Sequence, residues 1–308
     1  MFEINKRYLL IKKIKSFSIS KGLVTFVPKL ISMKLKHICL LLSVLFLTAC
    51  GEYNKILKNP DINVRYEYAK KYFNEGKFSR SATLLEDIYT MFKGTSNGQE
   101  SLYILAQSYY GMKDYQTASE YFKTYWTQYP KGDYAELSRY YSAYGLYLDS
   151  PDPRLDQSDT YKSIEQFQEF MEFYPQSERK EEAQRILFEL QEKLALKALM
   201  AVRLYYNLGD YVIAYSFPGG NYTSCVITAR NAMRDFPYSK YREELMYFSI
   251  RAKYDLANES VDEKKPLRYR DVVDEYYTYK NDYPEGKYIK QIQRMFDYSS
   301  KEIQNNHL

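Results

Sequence analysis

The chain has 308 residues, of which 45% are hydrophobic and 17% aromatic, enough for one large domain or two ordinary ones. Its net charge of +5 is unevenly distributed, because residues 1–49 contain nine basic side chains and a single acidic one, Glu3. From residue 50 onwards the net charge is −3. The part predicted to fold therefore lacks a basic surface for nucleic acid, which excludes nucleic-acid binding.

Residues with catalytic or metal-binding chemistry are scarce in this sequence. The two histidines, His37 and His307, lie far apart, and the three cysteines, Cys39, Cys50 and Cys225, form no Cys-x-x-Cys or Cys/His cluster. No glycine-rich loop is followed by the Lys-Ser/Thr pair of a phosphate site. We therefore predict a protein that is not an enzyme and that uses no metal and no other cofactor, with Cys225 as a buried packing residue.

The first element along the chain is a targeting segment. Met33 opens a short basic stretch, and the apolar run at 38–47 that follows is too short to span a bilayer as a helix. The run ends in four residues that resemble the bacterial lipobox, Leu47, Thr48, Ala49 and Cys50. We predict a dispensable extension or over-called start at 1–32, a lipoprotein signal peptide at 33–49 and lipid attachment at Cys50; the alternative is an ordinary secretory signal with a chance cysteine.

The residues after Cys50 are predicted to tether a folded domain to a membrane. Several acyl chains on one cysteine hold a domain at a bilayer, since each buried CH₂ contributes roughly 0.8 kcal/mol. Gly51 follows the cysteine, where an Asp would resemble an inner-membrane retention signal, so the outer membrane is favoured. Residues 50–60 form the predicted lipidated tether.

A recurring aromatic-Pro-x-Gly/Ser motif divides the rest of the chain. Its four copies are Tyr129–Gly132, Tyr174–Ser177, Phe236–Ser239 and Tyr283–Gly286. Each copy closes a stretch with helical spacing, and the proline ends one helix while the small residue lets the chain turn into the next. Ser96 and Asp133 are predicted to cap the helices that follow them. The sequence thus predicts an all-α, TPR-like α-solenoid of about five helix pairs at 61–300, followed by a tail at 301–308.

The five predicted pairs follow one another with inserts of different length. The predicted helices cover residues 68–88 in the first pair, 102–109 and 118–125 in the second, 137–146 and 163–171 in the third, 181–208 and 225–232 in the fourth, and 245–257 and 269–279 in the fifth. Inserts follow Asp149 and Tyr211, and Lys264–Pro266 is predicted to be a solvated loop. The predicted repeat-packing positions are Ala69, Gly76, Ala82, Ala106, Ala118, Phe122, Pro130, Phe167, Pro175, Ala229, Pro237 and Pro284.

A lipobox followed directly by about five TPR-like units with this motif resembles the BamD family of outer-membrane-protein assembly lipoproteins. The resemblance covers Cys50 to about Ser300 and implies a lipid-anchored protein on the periplasmic face of the outer membrane. The implied partners are the barrel-forming (BamA-like) translocase, other assembly lipoproteins and unfolded barrel substrates.

Two alternatives stay open beside this resemblance. A TPR scaffold lipoprotein for cell-wall synthesis enzymes has the same sequence features, and a glycan-binding lipoprotein is disfavoured by the single tryptophan, Trp126. The 36 tyrosines are expected mainly to pack between helices. Some tyrosines, together with Trp126, suit contact with a peptide, but the sequence does not indicate which of them face a binding surface.

Overall fold

The computed structural model describes residues 51–209 and 220–305. In these residues the chain is helical, with no strand. The helices are α1 Ile62–Asn74, α2 Phe78–Ile88, α3 Ser96–Gly111, α4 Tyr115–Gln128, α5 Ala135–Asp149, α6 Ser158–Phe173, α7 Lys180–Leu208, α8 Gly220–Asp235, α9 Arg242–Asn258, α10 Lys265–Asp282 and α11 Ile289–Asn305. The helices form two compact units that divide between Ile88 and Tyr89.

The first unit is a single helix pair, α1 and α2, joined by a tight turn. Gly76 has a φ of +71° and the backbone N–H of Lys77 donates to the carbonyl of Tyr72, which together form a Schellman motif. A Cβ at Gly76 would meet no atom. The predicted packing role of Gly76 is therefore wrong, because this glycine supplies a left-handed backbone and no helix contact.

The predicted tether is partly helical. Residues 51–57 form a helical stretch, in which the side chain of Ile56 is buried. The ring of Tyr53 contacts the ring of Tyr72 on α1, with 5.9 Å between centroids, and the guanidinium of Arg80 on α2 lies 5.2 Å from the Tyr53 ring. Much of the segment that follows Cys50 thus packs on the first helix pair.

The second unit contains four more pairs, α3/α4, α5/α6, α7/α8 and α9/α10, and each helix packs on the next along the chain. Short turns between helices in extensive contact make neighbours antiparallel, as in TPR-like repeats. With the pair of the first unit, the residues that the structure describes contain five pairs. The prediction of an all-α, TPR-like α-solenoid fold is confirmed.

Helix α7 is unusual because it serves two successive pairs. Its 29 residues span about 43 Å at 1.5 Å per residue. The first half packs Ile186 and Leu190 against α5 and α6, and the second half packs Leu199 and Val202 against α8 and α9. The predicted span of 181–208 differs by one residue from the observed helix.

The four aromatic-Pro turns share one backbone geometry. In each copy the N–H of the Gly or Ser donates to the carbonyl of the aromatic residue three positions earlier, at 3.0, 3.1, 3.2 and 3.0 Å in chain order. The aromatic residue itself donates its N–H to the carbonyl four residues before it, which extends the helix up to the proline. Because proline has no N–H, the helix ends there.

Two different side chains stabilise the exit from this turn. In the last copy the hydroxyl of Tyr279 accepts the N–H of Tyr288 at 3.2 Å and donates to Glu243 Oε1 at 2.7 Å. A Cβ on Gly286 would collide with that hydroxyl and would lie 2.6 Å from Glu243 Oε1. In the first copy the hydroxyl of Tyr125 accepts the N–H of Tyr134 and donates to Gln99 Oε1. A Cβ on Gly132 would collide with both side chains.

In the two serine copies the serine hydroxyl accepts the backbone N–H that a tyrosine hydroxyl accepts in the other two. Ser177 Oγ accepts the N–H of Arg179 at 3.1 Å and donates to Glu136 Oε1 at 2.6 Å, and Phe170 stands where Tyr279 stands in the last copy. The third copy likewise bonds the N–H of Tyr241 to Ser239 Oγ and has Ala232 at the tyrosine position. A serine hydroxyl and a tyrosine hydroxyl therefore occupy equivalent places, and each turn contains one of them.

The starts of several helices differ from the sequence-based expectation. The N-cap of α3 is Thr95, whose Oγ1 accepts the N–H of Gly98 at 3.1 Å, so Ser96 is already helical. Helix α5 begins after Tyr134, which makes no side-chain capping bond, so the predicted cap Asp133 lies one residue too early. The Lys264–Pro266 segment is not a loop: it ends a 3₁₀ turn and starts α10, where proline is tolerated in the first turn.

The last helix covers the end of the second unit. Ile292 and Ser299 of α11 are buried, while Lys290, Arg294 and Lys301 lie on its more exposed side. A helix that is apolar on one side and polar on the other shields the last repeat from water. It continues to Asn305, beyond the predicted solenoid end at residue 300.

Candidate functional site

The predicted lipobox residues, Leu47, Thr48, Ala49 and Cys50, lie outside the described residues, as does the insert that follows Tyr211. The chemistry expected at Cys50 therefore remains a prediction from the sequence.

The predicted packing positions fall into two groups. The alanines and phenylalanines are buried at helix contacts: Ala69, Ala82, Ala106, Ala118, Phe122, Phe167 and Ala229. The prolines of the turns are exposed and make no core contact: Pro130, Pro175, Pro237 and Pro284. These prolines thus terminate helices, and the aromatic residue before each of them is half-buried. Three of these residues pack against a core cluster: Tyr129, Tyr174 and Tyr283.

Trp126, expected to suit peptide contact, links helices instead. The guanidinium of Arg139 lies between two rings, 3.9 Å from the centre of Trp126 and 3.9 Å from that of Phe173, and it pairs with Glu169 at 3.3 Å. This stack joins α4, α5 and α6. The Arg139 side chain is only 10% exposed, so the Trp126 face that it covers is closed to a partner.

Five tyrosines of α3, α4 and α5 form a continuous row, which we call the tyrosine face: Tyr110, Tyr115, Tyr141, Tyr144 and Tyr147. Their rings touch in sequence, with centroid distances of 5.4 Å (110 to 115), 5.4 Å (110 to 141), 6.4 Å (141 to 144) and 5.6 Å (144 to 147). All five are half-buried, so each presents part of its ring and hydroxyl to solvent.

The hydroxyls of the tyrosine face differ in their hydrogen bonding. Tyr147 donates to Glu189 Oε1 at 3.0 Å. The hydroxyls of Tyr110, Tyr141 and Tyr144 have no hydrogen-bond partner among the residues at 51–209 and 220–305. Such hydroxyls can donate to backbone carbonyls of a bound peptide, while the packed rings supply area with little loss of conformational entropy.

Partial burial disfavours the charged form of three tyrosines in this face, Tyr110, Tyr144 and Tyr147. It raises the pKa of Tyr110 to about 12, with a smaller contribution from neighbouring tyrosines. Burial also raises the pKa of Tyr144, and it raises that of Tyr147 together with the hydrogen bond to Glu189. At neutral pH the tyrosine face is therefore an uncharged row of donors, which suits an extended polypeptide better than a charged ligand.

The sequence contains only part of the signal for this face. The three-residue spacing of Tyr141, Tyr144 and Tyr147 places them on adjoining turns of one helix, but many other tyrosines are spaced similarly. Their exposure is set by how α3 packs on α5, which the spacing does not determine.

Two classes of site are missing from the part of the chain that the structure covers. No group of three or more His, Cys, Asp or Glu side chains there could hold a metal ion. None of the helices described is both long and apolar enough to cross a bilayer.

Comparisons with known proteins complete the description. The chain matches no curated protein. Among solved structures, a TPR-like repeat protein from Podospora anserina, titled a kinesin light chain with nearly identical repeats, aligns with 80% of this chain and 96% of its own, at 11% identity and a TM-score of 0.29. A family described as "YfiO: Outer membrane lipoprotein" matches residues 59–217, more than half of the chain. The helix pairs, the recurring turns and this match together show that the chain belongs to the YfiO family of outer membrane lipoproteins.

Proposed function

We propose that this protein is a non-catalytic adaptor of the outer-membrane β-barrel assembly machinery, held at the periplasmic face of the outer membrane by acyl chains on Cys50. It docks the barrel-forming translocase and other assembly lipoproteins, and it contacts unfolded barrel substrates. The observation that supports this most is the tyrosine face, an uncharged row of partly exposed rings on a helical scaffold of an outer-membrane lipoprotein family.

The tyrosine face suits an unfolded barrel strand for a physical reason. An extended strand that has not yet paired presents a row of free carbonyl and N–H groups. Tyr110, Tyr141 and Tyr144 offer donors that have no hydrogen-bond partner among the described residues, and their rings cover the apolar side chains of such a strand. Weak contacts suffice here, because a lipid anchor raises the effective concentration of the adaptor for membrane partners.

Loss of the lipid anchor should change the location of the protein in the cell but not its fold. In Cys50→Ala the thiol that would carry the acyl chains is gone, so we expect the protein to leave the outer-membrane fraction while its far-UV circular dichroism spectrum and melting temperature stay unchanged. Fractionation of cell membranes followed by immunoblotting measures the first effect. An unchanged membrane fraction would contradict lipid anchoring at this residue.

The partner is tested by crosslinking and pull-down of the tagged full-length protein from detergent-solubilised outer membranes, with mass spectrometry. We expect the barrel-forming translocase to be the most enriched protein. Enrichment of cell-wall synthesis enzymes or glycan-uptake proteins in its place would be compatible with the fold but would refute the proposed role. Depletion of the protein should also lower the level of outer-membrane barrels, and normal levels would argue against the proposal.

The same pull-down tests the tyrosine face. Replacing Tyr110 and Tyr144 together by Ala removes two partly exposed rings, and loss of such contacts weakens binding by about tenfold or more when they are central to an interface. We expect a corresponding loss of crosslinked partner at constant protein level. Tyr238→Ala is the matched control, because that ring is 88% exposed on a turn outside the face. Equal loss of crosslinked partner in both variants would show that binding does not depend on the tyrosine face.

A further inference from the structure

A concave surface lies between α8, α9 and α10, and none of the residues of the tyrosine face lines it. It is a cleft of about 600 Å³ whose lining includes Arg230, Met233 and Arg234 of α8, Arg242 and Met246 of α9, and Glu275 of α10. Arg230 and Arg234 are four residues apart, so they project from the same side of α8 with Met233 next to them. We call this surface the arginine cleft.

The charges of the arginine cleft are not balanced from within. Three arginines face one carboxylate, Glu275, and Lys253 already forms an ion pair with that carboxylate. Arg230 is exposed and has no partner among the described residues. Arg234 is held only by the adjacent Asp235, in a pair whose two side chains are 72% and 50% exposed, a geometry that contributes little.

Arg242 is held in place while part of its charge stays available. Its guanidinium donates to the carbonyl of Met233 at 3.2 Å and lies 3.6 Å from the carboxylate of Asp282. This hydrogen bond to the backbone fixes the guanidinium beside the last turn of α8. A fixed guanidinium loses less entropy on binding a carboxylate than a free one does.

The floor of the cleft is apolar and adaptable. Met246 is buried and Met233 half-buried, and both pack in the core of the last repeats. Methionine side chains are flexible and polarizable, and they are frequent at surfaces that accommodate partners of varied shape. The cleft thus combines an apolar floor with cationic walls.

We propose that the arginine cleft binds an acidic segment of a partner protein, with two or three carboxylates on the arginines and an apolar side chain on the methionines. This proposal rests on the proposed adaptor function and specifies the chemistry of one partner contact. Anionic lipid is the competing ligand for arginines, but a headgroup surface is flat and would reach Arg230 without filling a concave cleft or using its methionine floor.

The test uses the lipidated full-length chain in detergent and a fluorescein-labelled peptide of three Glu-Glu-Leu-Leu repeats, followed by fluorescence anisotropy. The matched probe replaces every Glu by Gln, which keeps length and apolar content. We expect the acidic peptide to bind at least tenfold more tightly than the Gln peptide. Its affinity should fall on raising the salt concentration, because exposed charges are screened.

Two charge-reversal variants localise the binding. The double variant Arg230→Glu/Arg234→Glu should lower the affinity for the acidic peptide by tenfold or more. Arg185→Glu changes an arginine on α7 whose side chain is 71% exposed and lies outside the cleft, so it should leave the affinity within twofold. Equal affinity for both peptides, or an equal loss in the cleft and control variants, would overturn the proposal. So would binding of phosphatidylglycerol vesicles that is lost in the cleft variant, if the acidic peptide fails to bind.

The outcome can be separated from that of the adaptor proposal. If peptide binding fails while the translocase is still captured from membranes, the cleft inference is wrong and the adaptor function stands. If the peptide binds in the cleft but membranes yield no assembly partner, the site for an acidic segment stands and the assigned role fails.

Discussion

Gly286→Ser should destabilise the second unit strongly, and Tyr279→Phe should restore most of the loss. The Cβ of a serine at 286 would collide with the Tyr279 hydroxyl and crowd Glu243 Oε1 at 2.6 Å. Overpacking a closed site costs about 1–3 kcal/mol. Removing the tyrosine hydroxyl relieves the closest contact of that Cβ, which leaves the carboxylate of Glu243 and the Cβ of Tyr283, at 2.8 Å, to shift slightly.

The rescue follows from what the protein already does elsewhere. The double variant reproduces the second turn, in which Ser177 Oγ bonds to the N–H of Arg179 and to Glu136, with Phe170 at the tyrosine position. Tyr279→Phe alone should be destabilising too, because it leaves the N–H of Tyr288 and the carboxylate of Glu243 without this hydroxyl. The two changes should therefore couple by about 0.5–3 kcal/mol in the favourable direction.

The measurement is a double-mutant cycle from urea unfolding, followed by circular dichroism. The matched test is the first turn, where Gly132→Ser and Tyr125→Phe should behave in the same way. Additive effects in both turns would show that the two hydroxyls do not compete for one place.

Alkaline pH should unfold the second unit steeply, beginning near pH 10. Burial raises the pKa of twelve of its tyrosines: Tyr103, Tyr110, Tyr125, Tyr140, Tyr144, Tyr147, Tyr174, Tyr206, Tyr254, Tyr269, Tyr279 and Tyr283. In the unfolded chain the tyrosines have a pKa of about 10, so above that pH they lose their protons. The same phenols stay protonated in the folded chain.

The sign follows from this difference in proton binding. Above the unfolded pKa of about 10 the native state binds more protons than the unfolded state, so the free energy of unfolding falls as pH rises. The stabilisation is complete below that pH and is lost through the folded pKa, which for Tyr110 is about 12. Lys193 and Arg139 act in the opposite direction, since burial lowers the pKa of each, but they are two groups against twelve.

The check is a pH titration that records helix content by circular dichroism and tyrosinate absorbance on the same sample. We expect tyrosinate to appear together with loss of helix. Tyr110→Phe should reduce the drop in unfolding free energy between pH 8 and pH 11, whereas Tyr238→Phe, which changes an 88% exposed ring, should not. Full tyrosine ionisation with intact helices would contradict this explanation.

The helical class, the number of helix pairs and the positions of the turns can be predicted from the amino-acid sequence alone. These features are local: apolar residues at helical spacing mark a helix, and a proline without an N–H ends it within one turn. The limits of helices were less well determined. The second helix of the last pair was expected at 269–279 and is observed at Lys265–Asp282, because its first turn is polar and its proline is compatible with a helix start.

Which side chains come together on one surface depends on how the helices pack. The tyrosine face combines residues of three helices, and the partial exposure of its rings results from how those helices pack. The exchange of a tyrosine hydroxyl for a serine hydroxyl could not be predicted from the sequence either, since Tyr279 and Gly286 meet across a turn. The arginine cleft joins Arg230, Arg242 and Glu275 from three different helices. Helical periodicity fixes the face on which a residue lies, but contact between helices is set by packing over the whole repeat, which leaves no local pattern in the sequence.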